Sequence, residues 1–120
     1  MKTILIIEDE SALQKTIGGA LENEMRVVSA LDGEIGVRLA KENLPDLILL
    51  DLVLPKKDGF AVLEELKADP KTKEIPVIVL TNLEDMADIQ RALDLGATTY
   101  LVKSNYQLED VVQKVRETMA

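Results

Sequence analysis

The sequence contains no cysteine and no histidine. The first absence removes disulfides, thiol nucleophiles and thiolate zinc sites. The second removes a Ser-His-Asp triad, imidazole metal ligands and any phosphohistidine on this chain. Aromatic residues make up only 2% of the chain, which argues against stacking a flavin ring. No apolar run approaches the ~20 residues of a membrane-spanning helix. The formal net charge is −8, with no basic stripe or polybasic patch to set against it. That excludes direct nucleic-acid binding and an anionic membrane surface as expected partners. The opening MKTILIIEDE has one lysine and a short apolar run, but acids follow at once. It lacks the small-residue cleavage site of a signal peptide, so none is expected. The lack of cysteine fits a cytoplasmic location.

What is present predicts a globular chain. Its 120 residues are 47% hydrophobic and 30% charged, which fits one domain over 1–120. Short β-rich runs alternate with stretches of helical period. The runs are TILII (3–7), RVVS (26–29), LILL (47–50), PVIVL (76–80) and TYLV (99–102). Four of the five are continuously apolar, as expected of parallel strands buried on both faces. Ser11, Asp32 and Asp58 read as N-caps of the first three helices. A fourth helix carries Met86, Ile89 and Leu93 and ends at Gly96. A fifth carries Leu108, Val111, Val112, Val115 and Met119. Strand and helix alternating five times predict an α/β fold, an open parallel sheet with helices on both faces.

In such sheets ligands bind beyond the carboxyl ends of the strands. Glu8 and Asp9 follow the first run, Asp51 the third, Thr81 and Asn82 the fourth, and Lys103 the fifth. Asp51 closes a hydrophobic run, where a carboxylate is costly unless its charge is held. Clustered carboxylates raise one another's pKa, and a hard cation reverses that penalty. Mg²⁺ takes one or two carboxylates, several waters and phosphate oxygens. Glu8, Asp9 and Asp51 could hold such an ion. An aspartate can attack phosphorus to form an aspartyl phosphate. A lysine ammonium, Mg²⁺ and the Thr81 hydroxyl could then meet the charge on the transferred oxygens. Taken alone, Thr81 reads as a cap for helix four.

These motifs carry a resemblance. ED at 8–9, the aspartate of LLDLVLPKKDG at 51, TN at 81–82, GA at 96–97 and YLVK at 100–103 stand in one order. In that order the chain resembles a response-regulator receiver domain of the single-domain chemotaxis type, along its whole length. The resemblance implies a flavodoxin-like (βα)5 fold with strand order 2-1-3-4-5. It implies Asp51 as phospho-acceptor, Asp9 as direct Mg²⁺ ligand, Glu8 beside it through water, and the Val53 backbone carbonyl as a further ligand. Lys103 is then the partner of the phosphoryl group, and Thr81 with Tyr100 the switch. The surface of helix four, strand five and helix five, about 84–119, is then read by a downstream protein target or forms a homodimer. The phosphoryl donor is a sensor histidine kinase or a histidine phosphotransfer protein. The domain is on this view a signalling switch, not an enzyme beyond its own phosphorylation and dephosphorylation. A pseudo-receiver without phosphorylation, and a Mg²⁺-dependent aspartyl phosphotransferase or phosphatase, are the alternatives.

Two departures from the family pattern stand out. Glu8 occupies a place where aspartate is commonest. Ser104 follows Lys103 where proline is usual, often across a cis bond. A cis bond before a non-proline costs ~3 kcal/mol, which leaves the 103–104 bond and the placing of Lys103 open. Val53 and Leu83, each two residues past a site residue, are apolar and orient no attacking water.

Overall fold

A computed structural model describes all 120 residues. Five strands form one parallel sheet: β1 (Thr3–Ile7), β2 (Arg26–Ala30), β3 (Leu47–Leu50), β4 (Val77–Thr81) and β5 (Thr99–Val102). Their order is β2-β1-β3-β4-β5, the flavodoxin-like arrangement. Five helices connect or follow them: α1 (Ser11–Leu21), α2 (Gly33–Asn43), α3 (Gly59–Ala68), α4 (Met86–Asp94) and α5 (Leu108–Met119). No helix is long and apolar enough to cross a membrane.

The continuous apolar strands have a simple cause. Strand side chains alternate between faces, and here both faces are covered. Leu5, Ile7, Ile48, Leu50, Val77 and Val79 pack with residues of α2, α3 and α4. Ile4, Ile6, Leu47, Leu49, Ile78 and Leu80 pack with α1 and α5. The two cores share the sheet between them. β2 lies at an edge and is only partly covered, which is why its run is the most polar of the five.

Local chemistry sets most boundaries as expected. Asp32 accepts from the Ile35 N–H at 2.8 Å and Asp58 from the Ala61 N–H at 3.0 Å, both as N-caps. Gly96, at φ +110°, takes the left-handed position that ends α4. Three expectations need correction. Ser11 is the first residue of α1, and the residue before it, Glu10, stands at the cap without a side-chain bond. The Glu8 carboxylate accepts the N–H of that residue, Glu10, at 3.0 Å. The fourth strand is shifted by one residue. Pro76 precedes it, and Thr81 extends it by pairing with Val102. Thr81 is therefore no cap for α4, whose N-cap position is Asp85.

The sheet register brings the chemistry together. Ile7 pairs with Leu50, so Glu8 and Asp51 follow on adjacent strands, β1 and β3. The turn after Asp51 is held close to α3 at Gly59. A Cβ there would lie 2.4 Å from the Asp51 carbonyl oxygen and 2.4 Å from Leu52 Cα. Both are backbone atoms that cannot step aside. Gly59→Ala is expected to cost roughly 2 kcal/mol or more, the range of core overpacking, as read by urea denaturation. An unchanged denaturation midpoint would show that this turn has slack.

Candidate functional site

The residues predicted to share a rim do share one. Ligating oxygens of Glu8, Asp9 and Asp51 all lie within 4.8 Å of one another. Glu8 and Asp51 are buried, at 3% and 5% exposure, while Asp9 is exposed. Asp9, Asp51, Val53, Asn82 and Lys103 line an open cavity of about 270 Å³ together with Glu10.

Lys103 joins the two buried acids. Its Nζ lies 2.9 Å from Asp51 Oδ2 and 2.6 Å from Glu8 Oε1. The 103–104 bond is trans, and the ammonium reaches both carboxylates from a short 3₁₀ turn, Lys103–Asn105. Burial opposes the charge on Lys103, but the hydrogen bonds to Glu8 and Asp51 outweigh it and hold its pKa above the usual value. For Glu8 the balance falls the other way. Burial raises its pKa more than Lys103 and the Glu10 N–H lower it, and Asp51 adds repulsion.

The oxygens are not equally free. Glu8 spends Oε1 on Lys103 and Oε2 on the Glu10 N–H. Asp51 accepts the Val53 N–H at Oδ1, 3.1 Å, and Lys103 at Oδ2. Val53 is itself 55% exposed, so its backbone rather than its side chain serves the site. The chain's hydrogen bonds leave the Asp9 carboxylate without a donor, facing the cavity. This is the donor set of a hard cation: carboxylates, an open face and room for water.

Thr81 and Tyr100 meet at one residue. Thr81 is fully buried, and its Oγ1 accepts the Leu83 N–H at 3.5 Å. The Tyr100 hydroxyl donates to the Leu83 carbonyl at 2.7 Å. The Leu83 backbone thus stands between the end of β4 and the ring on β5. Burial, followed by the charges of Asp88, Asp51 and Asp85, pushes the Tyr100 pKa up to about 12.

The family model of the response regulator receiver domain matches residues 4–116. The chain belongs to this family, the receivers of two-component systems. The DNA-binding dual master transcriptional regulator RpaA of Synechocystis is 42% identical over 117 residues, covering 97% of this chain and 48% of that protein. This receiver spans about half or less of the length of the curated relatives it matches. The phosphorylated cyanobacterial phytochrome response regulator RcpA is 39% identical, with a TM-score of 0.82 over 97% of this chain and 89% of that one. The receiver domain of a sensor histidine kinase from Pseudomonas aeruginosa, solved with magnesium in its active-site cleft, is 28% identical. Its TM-score is 0.87 over 98% of this chain and 97% of that one.

Sequence reasoning missed two features of this receiver. The Glu8–Lys103 contact follows from the extra carbon of glutamate, but its direction needs the fold. Gln14 reads in the sequence as an ordinary helix residue. It is buried, and its amide donates to three carbonyls at the strand ends. A signal was present, since Gln14 shares a helical stripe with Ile17 and Leu21, where a polar residue is out of place.

The Tyr100 environment predicts a titration. Its folded pKa lies above the ordinary 10.0, at about 12. Stability from the protonated ring is therefore full below the unfolded pKa and is lost as pH rises through about 12. A near-ultraviolet absorbance titration of Tyr106→Phe should show Tyr100 ionising late, and adding Asp88→Asn should bring it earlier. Ionisation of Tyr100 near the ordinary value of 10.0 would contradict this.

Proposed function

We propose that this receiver is a phospho-acceptor switch in which Asp51 takes a phosphoryl group, with Mg²⁺ as cofactor. The donor is a phosphohistidine on a sensor histidine kinase or a histidine phosphotransfer protein. The observation that carries the reading is the Lys103 ammonium 2.9 Å from Asp51 Oδ2, beside the cavity that Asp9 and Val53 line. An Asp51 oxygen attacks phosphorus while the phosphorus–nitrogen bond of the donor breaks. The imidazole nitrogen keeps that electron pair. The Val53 N–H holds the other Asp51 oxygen in place, and Lys103 meets the charge on the transferred group.

Mg²⁺ suits the donor set on its chemistry. Asp9, Asp51 and the Val53 carbonyl are the residues that would hold it, with Glu8 contributing beside them through water. When bound, it would supply positive charge to the transferred phosphoryl oxygens in addition to that of Lys103. A solved relative of the same fold carries magnesium in its cleft, which supports the assignment.

Thr81 and Tyr100 form the switch on this reading. A Thr81 hydroxyl that turns to the phosphoryl group releases the Leu83 N–H, and Tyr100 grips the same residue through its carbonyl. The change passes to α4, β5 and α5, where a downstream protein or a second copy reads it. The whole chain, 1–120, acts as one receiver, in the cytoplasm and without direct contact with nucleic acid. A phosphotransferase or phosphatase turning over a separate substrate would want an acid two residues past Asp51, where Val53 stands. A pseudo-receiver needs Lys103 displaced, and its contact with Asp51 weighs against that.

Incubation with acetyl phosphate and Mg²⁺ should add one phosphoryl group by intact mass, lost in Asp51→Asn and with EDTA. No gain by folded protein that binds Mg²⁺ would overturn the reading. Once formed, the aspartyl phosphate should be lost slowly, because neither Val53 nor Leu83 can orient a water. Disappearance within seconds in Mg²⁺ alone would refute that.

A further inference from the structure

We infer that Gln14 is a positioning residue for the Mg²⁺ ligand Asp9, acting through the backbone of the β1–α1 turn. The inference rests on the proposed metal site and concerns what holds its most exposed acid in place.

Gln14 is 5% exposed, one helical turn inside α1. Its Nε2 lies 2.6 Å from Ile6 O, 2.9 Å from Ala30 O and 3.3 Å from Glu8 O, so its two N–H groups serve Ile6 and Ala30 and one of them is shared with Glu8. The backbone adds a further tie, as the Gln14 N–H donates to Glu10 O at 3.0 Å. One side-chain amide thus fastens the ends of β1 and β2 to the first turn of α1. Its orientation is determined, because a flipped amide would set an oxygen against three carbonyls. The other end, Oε1, is buried with no hydrogen-bond partner. A buried acceptor left unpaired is costly. What the donor end secures is the geometry of the two strand ends.

That geometry matters most for Asp9. The Glu8 carboxylate has its own anchors in Lys103 and the Glu10 N–H. Asp51 has Val53 and Lys103. The Asp9 carboxylate has none from the chain, so its aim depends on its backbone. The Asp9 backbone begins at the peptide whose carbonyl, on Glu8, Gln14 holds. A second tie follows at once, where Glu10 accepts the Gln14 N–H. Fixing the backbone on both sides of Asp9 aims its carboxylate at the cavity before any ion arrives. Partners that orient metal ligands from behind typically account for about 10–100-fold in affinity.

The test is Mg²⁺ affinity, read by calorimetry on wild type, Asp9→Asn, Gln14→Leu and Gln14→Lys, with thermal unfolding alongside. Binding by wild type and its loss in Asp9→Asn establish the metal site whatever Gln14 does. No binding by folded wild type defeats the site itself. Gln14→Leu, which removes the donor, is expected to weaken Mg²⁺ at least about tenfold. Gln14→Lys, which keeps a donor toward the carbonyls, is expected to recover most of that loss even where its unfolding temperature differs from wild type. Unchanged affinity in Gln14→Leu, or affinity that follows unfolding temperature across the variants, would overturn the role. If Gln14→Leu does not fold, NMR of the wild type decides. The Gln14 side-chain amide signals should shift with those of Asp9 during a Mg²⁺ titration, and a silent Gln14 would sink the inference.

Discussion

The charge of Lys103 is the constraint on which the rest of the site depends. Two carboxylates, Glu8 and Asp51, sit almost without solvent on adjacent strands. An unpaired buried charge is very costly, and two of one sign in contact cost more. The ammonium bridges both, at 2.6 Å and 2.9 Å. It comes from the far side of the sheet, two strands from Asp51 in the order β3-β4-β5. Correct closure of the sheet thus brings the compensating charge to the two acids. Breaking one partner of such a group is more damaging than the pair is stabilising.

Around this trio the fold divides its labour. Two apolar layers, one on each face, position the strands and leave the rim to polar chemistry. The turns at the rim are held by polar contacts and close approach. Gln14 ties the end of β1, and Gly59 lets α3 press against the turn after Asp51. Asp32 and Asp58 secure the starts of α2 and α3. Each is a local device that fixes the direction of the backbone at the rim.

Much of this was legible in the sequence. Continuous apolar runs announce strands buried on both faces, so the sheet and its five helices could be read off. The acids and the lysine at the strand ends named the rim, because a charged residue closing an apolar run is costly without a partner of opposite charge. Boundaries were harder. Ser11 has the chemistry of a cap, yet it is the first residue of α1 and Glu10 holds the cap position. Thr81 read alone as a cap for helix four and proved to be the last rung of β4. The placing of Lys103 before Ser104 could not be read, since it depends on a short 3₁₀ turn that no residue pattern announces. Gln14 was missed as a clamp, because its acceptors come from the ends of two strands that only the fold brings together.

α4 differs from its neighbours in one respect. Of its nine residues only Ala92 is fully buried, and Met86 at its start is 76% exposed. α5 buries four residues and α3 five. The free energy for opening a segment scales with the apolar contact it gives up. α4 is therefore the helix that gives up the least apolar contact on opening, and neither the sheet pairing nor the Lys103 bridge involves its residues. In mechanical terms the receiver is a stiff plate carrying one compliant element, and the chain enters that element just past Leu83, the residue to which both Thr81 and Tyr100 are bonded.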